Sequence, residues 1–480
     1  MDFALKERVD QWFEAHREEI VRQVMRLVAV PSVTQYGEEG FPYGKACHQA
    51  MDAYQQMAGE LGFETERFDD HVVTATYGCD PSRKTIGFWT HLDVVPPGNG
   101  WLFEPFEPVY REGYIIGRGA DDNKSASVGA LYAIRCLKEL GVPLRSNLKT
   151  FGGCDEECGS LGVTHYVQHY PCPDFSIVSD CGFPVCYGEK GIINVTFRSV
   201  RPLSSLFMEL EGGMVSNLIP DRAHAVLCKE SFVLDRLSAL PEGIDVQICE
   251  DCIRITASGT SGHAGFPVGA TNAVHELIGA LLAAKLMAPE DEPLLRFLHD
   301  VNRDCYGTAL NIAMEDAESG ALTCSGTVLR LQDGHASLAA NIRYCITASG
   351  EDIHSRLDVA ARQSGFELAH FNDSTPNYFP KEQPVVDALT DVYNQIMGED
   401  KRPYTMSGGT YARKLPNAVG FGIGSMQHPR CPLIPQGHGG AHQPDETLHV
   451  DSYLRALVIL TMGIIAADQC LNDQACSENA

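Results

Sequence analysis

Short apolar runs alternate with helix-like segments in the first part of the sequence, and this alternation constrains the fold more than any other feature. The runs at 85–89, 148–151 and 175–178 have the length of buried strands. Residues 125–140 instead repeat apolar side chains at helical spacing and are followed by Gly141, a residue that commonly ends helices. Strands and helices in alternation are typical of an α/β fold. We therefore predict a mixed, mostly parallel sheet flanked by helices.

The pattern changes near residue 191 and again near residue 380. Between these positions, apolar and polar residues alternate as they do in half-buried strands, and one helical segment occurs at 272–287. The predicted strands are 194–197, 223–227, 253–257 and 339–345. Helical patterns return at 385–397 and 452–467. We predict an α/β domain made of residues 1–190 and 381–480, with an α+β unit inserted at 191–380.

The first residues of the chain have the pattern of a surface helix rather than of a targeting segment. Apolar residues recur every three or four positions over 6–29, which predicts one amphipathic helix ending before Pro31. Residues 1–19 contain charges of both signs, whereas a secretory signal would have an apolar core at this place. We expect a cytoplasmic protein.

Charge and cysteine content exclude several classes of partner and structure. The 480 residues include 37 Lys and Arg against 63 Asp and Glu, a net charge of −26, which repels nucleic acids and anionic membrane surfaces. The longest apolar run, 456–467, is too short to cross a membrane and predicts a buried helix. The 17 cysteines are expected to be reduced thiols, and Cys249 and Cys252 are interpreted as strand cysteines rather than zinc ligands.

Acidic and imidazole side chains come directly after the three predicted strands. His91 and Asp93 follow the first strand, the triplet 155–157 (Asp-Glu-Glu) follows the second, and Asp180 follows the third. In an open α/β sheet, ligands bind at the carboxyl ends of the strands. Pooling so many carboxylates in one cleft is unfavourable unless a cation balances them. The sequence therefore predicts a divalent metal site, with Zn²⁺ favoured and Mn²⁺ or Co²⁺ as alternatives.

Two further segments carry candidate ligands. Asp121 and Asp122 lie in a glycine-rich stretch just before the predicted helix at 125–140. Near the carboxyl terminus, His438 and His442 lie in a loop rich in glycine. The residue types alone do not decide between Asp121 and Asp122, or between His438 and His442, as the ligand.

Taken in order, these segments resemble the M20 family of di-metal peptidases and amidohydrolases, and most closely its PepV-type cytoplasmic dipeptidases. The resemblance extends over nearly the whole chain. It rests on five motifs in the family's order: His-Leu-Asp-Val-Val-Pro at 91–96, Gly-Arg-Gly-Ala-Asp-Asp at 117–122, Asp-Glu-Glu at 155–157, Asp180 before Phe183-Pro184, and Ala-His-Gln-Pro-Asp-Glu at 441–446.

The resemblance implies a role for each candidate in the predicted catalytic domain. Asp122, favoured over Asp121 by the motif spacing, would be a carboxylate shared by two metal ions. His91 and Asp180 would bind one ion, and Glu157 and His442, favoured over His438, the other. Glu156 would be the general base that deprotonates a metal-bridging water. Asp93 would orient the imidazole of His91 through its second nitrogen.

The same resemblance makes the inserted unit a lid domain. Asn217 and His263 would stabilise the oxyanion of the tetrahedral intermediate. Arg343 would bind the terminal carboxylate of the substrate, and Gly409 and Arg413 would belong to a second substrate-side loop. Simpler interpretations remain open for three of them: a turn residue for Asn217, an ordinary loop histidine for His263, and an exposed sheet arginine for Arg343.

The activity implied is that of a monomeric, cytoplasmic di-zinc dipeptidase acting on small peptides with a free amino terminus. One alternative is an amidohydrolase of the same family that removes N-acyl groups or a carboxy-terminal residue. Another is a noncatalytic metal-binding relative. Glu156 argues against the second alternative, because metal binding alone does not need a base.

Overall fold

The computed structural model describes residues 1–424 and 428–478, with side chains described up to residue 473. The chain forms two compact units. The first unit comprises Met1–Tyr187, Tyr378–Tyr404 and Thr410–Ala480, and the second unit comprises Gly188–Asn377 and Thr405–Gly409. The sequence pattern predicts boundaries at 190/191 and 380/381, and it does not assign 405–409 to the inserted unit.

The helices and strands of the described residues are numbered in chain order. The helices are α1 Phe3–Ala15, α2 Arg17–Val28, α3 Lys45–Glu60, α4 Lys124–Glu139, α5 Leu161–His169, α6 Ser231–Arg236, α7 Ala273–Ala283, α8 Glu292–Val301, α9 Gly350–Gln363, α10 Pro384–Met397 and α11 Val450–Glu478. The strands are β1 Glu64–Phe68, β2 Val72–Tyr77, β3 Thr85–His91, β4 Val109–Arg111, β5 Tyr114–Ile116, β6 Asn147–Gly153, β7 Phe175–Val178, β8 Cys186–Glu189, β9 Gly191–Ser199, β10 Phe207–Gly212, β11 Arg222–Cys228, β12 Ile244–Ile248, β13 Cys252–Ser258, β14 Glu315–Asp316, β15 Gly320–Ala321, β16 Thr323–Gln332, β17 His335–Tyr344, β18 Phe366–Ser374, β19 Asn377–Tyr378, β20 Tyr404–Met406, β21 Ala418–Gly420 and β22 Thr447–His449.

The main sheet of the first unit is mixed, with parallel strands at its centre. Seven of its nine strands follow the order β1-β2-β6-β3-β7-β21-β8, and β19 and β20 both pair with β8. Within these seven strands, the pairs β6–β3, β3–β7 and β7–β21 are parallel, and the other three pairs are antiparallel. His91 pairs with Gly153 and Trp89 with Val178, so three parallel strands end at one edge of the sheet. This architecture confirms the predicted mixed sheet flanked by helices, but parallel pairs do not predominate as expected, since three of the six pairs in this order are antiparallel.

The helices around this sheet bury an extensive apolar core. Gly129 of α4 lies against Leu457 of α11, where a β-carbon added to the glycine would lie 2.5 Å from a methyl of the leucine. Residues Val450–Asp473 of α11 are long and apolar enough to cross a membrane, but 67% of their most apolar stretch is buried, as in the core helix of a folded domain.

The amino-terminal helix differs from the prediction. The expected single helix at 6–29 is wrong, because the chain forms α1 and α2 with a break at His16. The imidazole of His16 stacks on Trp12 at 3.9 Å, and its Nδ1 lies 2.7 Å from the main-chain oxygen of Trp12. The backbone of His16, at φ −101° and ψ 4°, lies outside the α-helical region, so α1 ends there and α2 begins at the next residue.

The second unit confirms the predicted α+β texture. Its antiparallel sheet has the strand order β12-β13-β11-β10-β16-β17-β9-β18. Apolar residues of this sheet and of α7, α8 and α9 form a separate core. Cys249 and Cys252 lie opposite each other at the turn between β12 and β13, and the cysteines of the described side chains are free thiols.

We expect Leu457→Ala to lower the free energy of unfolding of the first unit by about 2–5 kcal/mol, because it opens a cavity between α4 and α11. Leu457 is fully buried, whereas Leu161 is 51% exposed and provides a matched control. Leu161→Ala should change the free energy by about 0.5 kcal/mol or less. Denaturant unfolding followed by circular dichroism measures both, and equal effects would contradict the description of this core.

Candidate active site

Three adjacent strand ends deliver the predicted polar residues to one edge of the main sheet. His91 is the last residue of β3, and the segment 155–157 begins just after β6. Asp180 comes shortly after β7, which ends at Val178. Asp122 comes from the loop before α4, and His442 from the loop before β22.

These side chains form two groups that could each hold a metal ion. One group is His91, Asp122 and Asp180, and the other is Asp122, Glu157 and His442. Within each group the candidate ligand atoms lie within 4.8 Å of one another. Asp122 belongs to both, and these are the groupings that the family resemblance implied.

The carboxylate of Asp122 divides its two oxygens between the groups. Its Oδ1 lies 3.1 Å from Nε2 of His91, and its Oδ2 lies 3.1 Å from Nε2 of His442. The second contact of His91 is with Asp180, at 3.8 Å. The second contact of His442 is with Glu157, at 3.1 Å. His91 is fully buried, whereas the side chain of His442 is 46% exposed.

The close carboxylates shift the proton affinity of both imidazoles. Burial alone would lower the pKa of His91, but its hydrogen bond with Asp122 and the nearby carboxylate of Asp180 raise that pKa well above the ordinary value. Hydrogen bonds with Asp122 and Glu157 raise the pKa of His442 to about 10. Burial would raise the pKa of Asp122, yet its contacts with the two histidines hold it well below the ordinary value.

Glu156 lies beside the two groups without belonging to either among the described residues. Burial raises its pKa well above the ordinary value, and the nearby charges of Asp180 and Glu157 act in the same direction. A carboxylate with a raised pKa can accept a proton near neutral pH and release it again.

Asp93 contacts His91 differently from the expectation. Nδ1 of His91 lies 3.0 Å from the main-chain oxygen of Asp93 and 3.6 Å from its carboxylate. The buried carboxylate instead accepts hydrogen bonds from the main-chain N–H groups of Glu156, at 3.1 Å, and Glu157, at 3.2 Å. Asp93 therefore links the loop after β3 to the loop after β6.

Asn123 is a site residue that the sequence reasoning missed. Its side-chain nitrogen donates to Oδ1 of Asp180 at 2.9 Å and to the main-chain oxygen of Ser179 at 2.8 Å. Its side-chain oxygen accepts from the main-chain N–H of His91 at 3.3 Å. The available signal was a polar residue at the N-cap of α4, next to a candidate ligand.

Asp121 and His438, the alternatives to Asp122 and His442 as ligands, make different contacts. Asp121 belongs to neither group among the described residues. Burial, together with the charges of Glu446 and Asp122, raises the pKa of Asp121 to about 8. Nδ1 of His438 lies 2.6 Å from the carboxylate of Asp445, which holds this histidine in the loop rather than in a ligand group.

Of the predicted lid residues, Asn217 and His263 lie on neighbouring segments of the second unit. Leu218 and His263 form an isolated bridge, and the main-chain oxygen of Asn217 accepts from Ala264 at 2.8 Å. Asn217 is exposed and His263 is partly buried. The imidazole of His263 accepts a hydrogen bond from the main-chain N–H of Gly265 at 3.1 Å.

Arg343 lies on β17 close to the His263 segment. It is buried, which excludes the interpretation as an exposed sheet arginine. Its Nε donates to Asn341 and its Nη1 to the main-chain oxygen of Ser407, both at 2.9 Å. A side-chain carbon on Gly265 would lie 3.5 Å from Nε of Arg343.

The last two predicted residues belong to different units. Gly409 is exposed in the short 405–409 piece of the second unit. Arg413 lies in a 3₁₀ helix of the first unit, Tyr411–Lys414, that is capped by the hydroxyl of Thr410. The structure therefore places Asn217, His263, Arg343 and Gly409 in the second unit and the other predicted residues in the first.

The side chains of the two groups fit divalent metal ions. Two imidazoles and three carboxylates supply mixed nitrogen and oxygen donors, a set that suits Zn²⁺, Mn²⁺ and Co²⁺. The three carboxylates contribute negative charge that two divalent ions would balance. The second ring nitrogen of His91 lies 3.0 Å from the main-chain oxygen of Asp93, the kind of contact that orients a metal-binding imidazole.

Comparisons with known proteins identify the family of this chain. Residues 87–464 match the model of peptidase family M20/M25/M40. YtjP of Bacillus subtilis, provisionally named a dipeptidase, is 31% identical over 93% of this chain and 97% of its own length. The Beta-Ala-Xaa dipeptidase of Lactobacillus delbrueckii is 28% identical over 97% of this chain and 98% of its own.

The fold also has solved relatives. Human carnosine dipeptidase 1 superposes with a TM-score of 0.57 at 16% identity, over 97% of this chain and 99% of its own. This likeness concerns the fold, whereas the family match and the Bacillus relative concern the sequence itself. The chain belongs to the peptidase family M20/M25/M40.

Proposed function

We propose that this peptidase is a dipeptidase that hydrolyses dipeptides with a free amino terminus. It would use two divalent metal ions, with Zn²⁺ favoured over Mn²⁺ and Co²⁺. The observation that carries the proposal is the pair of three-residue groups that share Asp122, with the partly buried Glu156 near them. His91 and Asp180 would complete one ion site, and Glu157 and His442 the other. The names of the relatives as dipeptidases support the substrate class.

Glu156 would act as the general base. When bound, the two ions would supply Lewis-acid polarisation of the scissile carbonyl and lower the pKa of a nearby water. The carboxylate of Glu156 would take the proton of the attacking water and return it to the leaving amine. Asp93 fixes the main chain of Glu156 and Glu157 through two hydrogen bonds, which holds the base and a ligand in a constant relation.

The residues of the second unit would bind the substrate. Asn217 and His263, joined through the Leu218–His263 bridge, would donate hydrogen bonds to the oxyanion. The buried guanidinium of Arg343 would bind the terminal carboxylate, a pairing that its planar geometry suits. Gly409 and Arg413 would form a further substrate-side loop.

We also propose that the protein is a cytoplasmic monomer that does not bind nucleic acids or membranes. The free thiols of the described cysteines suit a reducing compartment, and the net charge of −26 repels polyanions.

The activity is tested with the purified protein after chelation and reloading with Zn²⁺, Mn²⁺ or Co²⁺. We expect turnover of free dipeptides and little turnover of N-acetylated dipeptides or longer peptides. Glu156→Gln should lower kcat about 10²–10⁴-fold while the protein keeps two ions per chain. Glu107→Gln, an exposed glutamate, serves as the matched control. Preferred cleavage of N-acylated substrates would instead favour an amidohydrolase, and two bound ions without any turnover would favour a noncatalytic relative.

If Asp122 is shared by two ions, replacing it should affect both ions, whereas replacing any other ligand should affect one. Asp122→Asn should weaken the binding of both ions, because this residue belongs to both groups. Asp180→Asn and Glu157→Gln should each weaken one binding step and leave the other near its original affinity. Metal analysis and titration with Zn²⁺ in competition with a chromophoric chelator measure these steps. Loss of a single ion in Asp122→Asn would contradict the shared role.

Metal binding should be linked to proton release. With no ion bound, His442, whose pKa is about 10, is protonated at pH 7, and an ion must displace this proton. Between pH 6 and 8.5 we expect the affinity for Zn²⁺ to rise with pH, by up to about tenfold per pH unit for each imidazole that must lose a proton. Calorimetric titration in buffers of different ionisation enthalpy counts the protons released. A pH-independent affinity without proton release would contradict the assignment of His442 as a ligand.

A further inference from the structure

We propose that Glu446 is a positioning residue that fixes the shared carboxylate Asp122 by binding the main chain of the loop that carries it. The inference rests on the proposed metal sites, since it assigns to Glu446 a part in setting the affinity of both ions. The hydrogen bonds that join Glu446 to Asp121 and Asp122 go to main-chain N–H groups, so Glu446 acts on the ligand through the backbone.

The carboxylate of Glu446 is fully buried and accepts hydrogen bonds on both oxygens. Its Oε1 accepts from the main-chain N–H groups of Asp121, at 2.8 Å, and of Asp122, at 2.9 Å. Its Oε2 accepts from the N–H of Gly119, at 3.0 Å. Three N–H groups of one short loop thus point at a single side chain, which fixes the position from which the Asp122 side chain extends.

Arg118 completes the charge balance of this buried carboxylate. Its Nη1 donates to Oε2 of Glu446 at 2.7 Å, and Arg118 is itself 1% exposed. The guanidinium also lies over the ring of Trp101, 5.1 Å from its centre. A buried ion pair of this kind is strongly destabilised when one partner alone is removed.

The main chain of Glu446 is attached to the same loop. Its carbonyl accepts from the N–H of Gly117 at 3.0 Å, next to the antiparallel pairing of β22 with β5. The segment that leads into Glu446 carries His442, the histidine that contacts Oδ2 of Asp122. One short stretch of chain therefore sets both the position of Asp122 and that of a ligand in the second group.

If the role of Glu446 were purely structural, replacing it would affect metal binding no more than replacing another buried hydrogen-bond acceptor. Asp468 is such an acceptor and provides the comparison. The carboxylate of Asp468 is also buried and accepts from two consecutive main-chain N–H groups, those of Arg145 and Ser146. The segment that it binds carries none of the candidate ligands found among the described residues. Asp468→Asn therefore perturbs a similar buried arrangement without touching the metal groups.

The variant Glu446→Gln should misplace the loop. An amide has one acceptor oxygen, so if it keeps the N–H groups of Asp121 and Asp122, its –NH₂ must face the N–H of Gly119 and the guanidinium of Arg118. These donors then lack an acceptor, and the loop must shift to regain water or another partner. Arg118→Lys keeps the charge pair and disturbs the arrangement less.

The experiment titrates Zn²⁺ into each full-length variant against a chromophoric chelator and records the visible spectrum of the Co²⁺ form, with circular dichroism as a check on folding. We expect Glu446→Gln to weaken both binding steps by about 10–100-fold, a range typical of residues that support metal ligands. Arg118→Lys should weaken both steps less, and Asp468→Asn should leave affinity and spectrum unchanged even if it lowers the melting temperature.

Three results would overturn the proposal. One is wild-type affinity for both ions in folded Glu446→Gln or, if that variant does not fold, in Arg118→Lys. Another is weakening of a single step, because Asp122 is shared. The third is an equal loss in Asp468→Asn, which would reduce the effect to general stability. None of these measurements uses peptide turnover, so failure of the proposed dipeptidase activity would be seen separately, in the dipeptide assay.

Discussion

One carboxylate, that of Asp122, presents an oxygen to each of two imidazoles 3.1 Å away, and the arrangement of the whole candidate site depends on this contact. Its Oδ1 faces the buried His91, and its Oδ2 faces the more exposed His442. Neither group would be complete without Asp122. A displacement of this residue would therefore alter both groups at once, whereas displacement of any other member would alter one.

Three buried polar residues hold the main chain around this carboxylate. Asp93 binds the N–H groups of Glu156 and Glu157, Asn123 links His91 to Asp180, and Glu446 binds the loop of Asp122. Each joins segments that are distant in the sequence. A cluster of like charges repels itself, and hydrogen bonds to the backbone are a way to hold its members in place without adding side chains that compete for the ligand positions.

The sequence predicted the parts of this site that depend on residue type and on strand position. The apolar run at 175–178 is the strand β7, and the polar residues after three such runs meet at one sheet edge because parallel strands share their direction. The family motifs then separated Asp122 from Asp121. The contacts of Asp93 and Asn123 were not predictable in this way, because a side chain that binds backbone N–H groups can do so in any sequence context. The break at His16 was missed because apolar spacing continues through it, although the backbone of this one residue leaves the helical conformation.

The five residues Thr405–Gly409 belong to the second unit although the chain on both sides of them belongs to the first. Within the second unit, Met406 accepts a hydrogen bond from the main chain of Lys190, the hydroxyl of Thr405 donates to Glu318, and Ser407 accepts from the buried guanidinium of Arg343. The inserted unit is thus not a single cassette in the gene. A chimera that exchanged only residues 188–377 with those of a relative would leave the new arginine beside a loop from the old protein, so recombination between members of this fold must carry both pieces together.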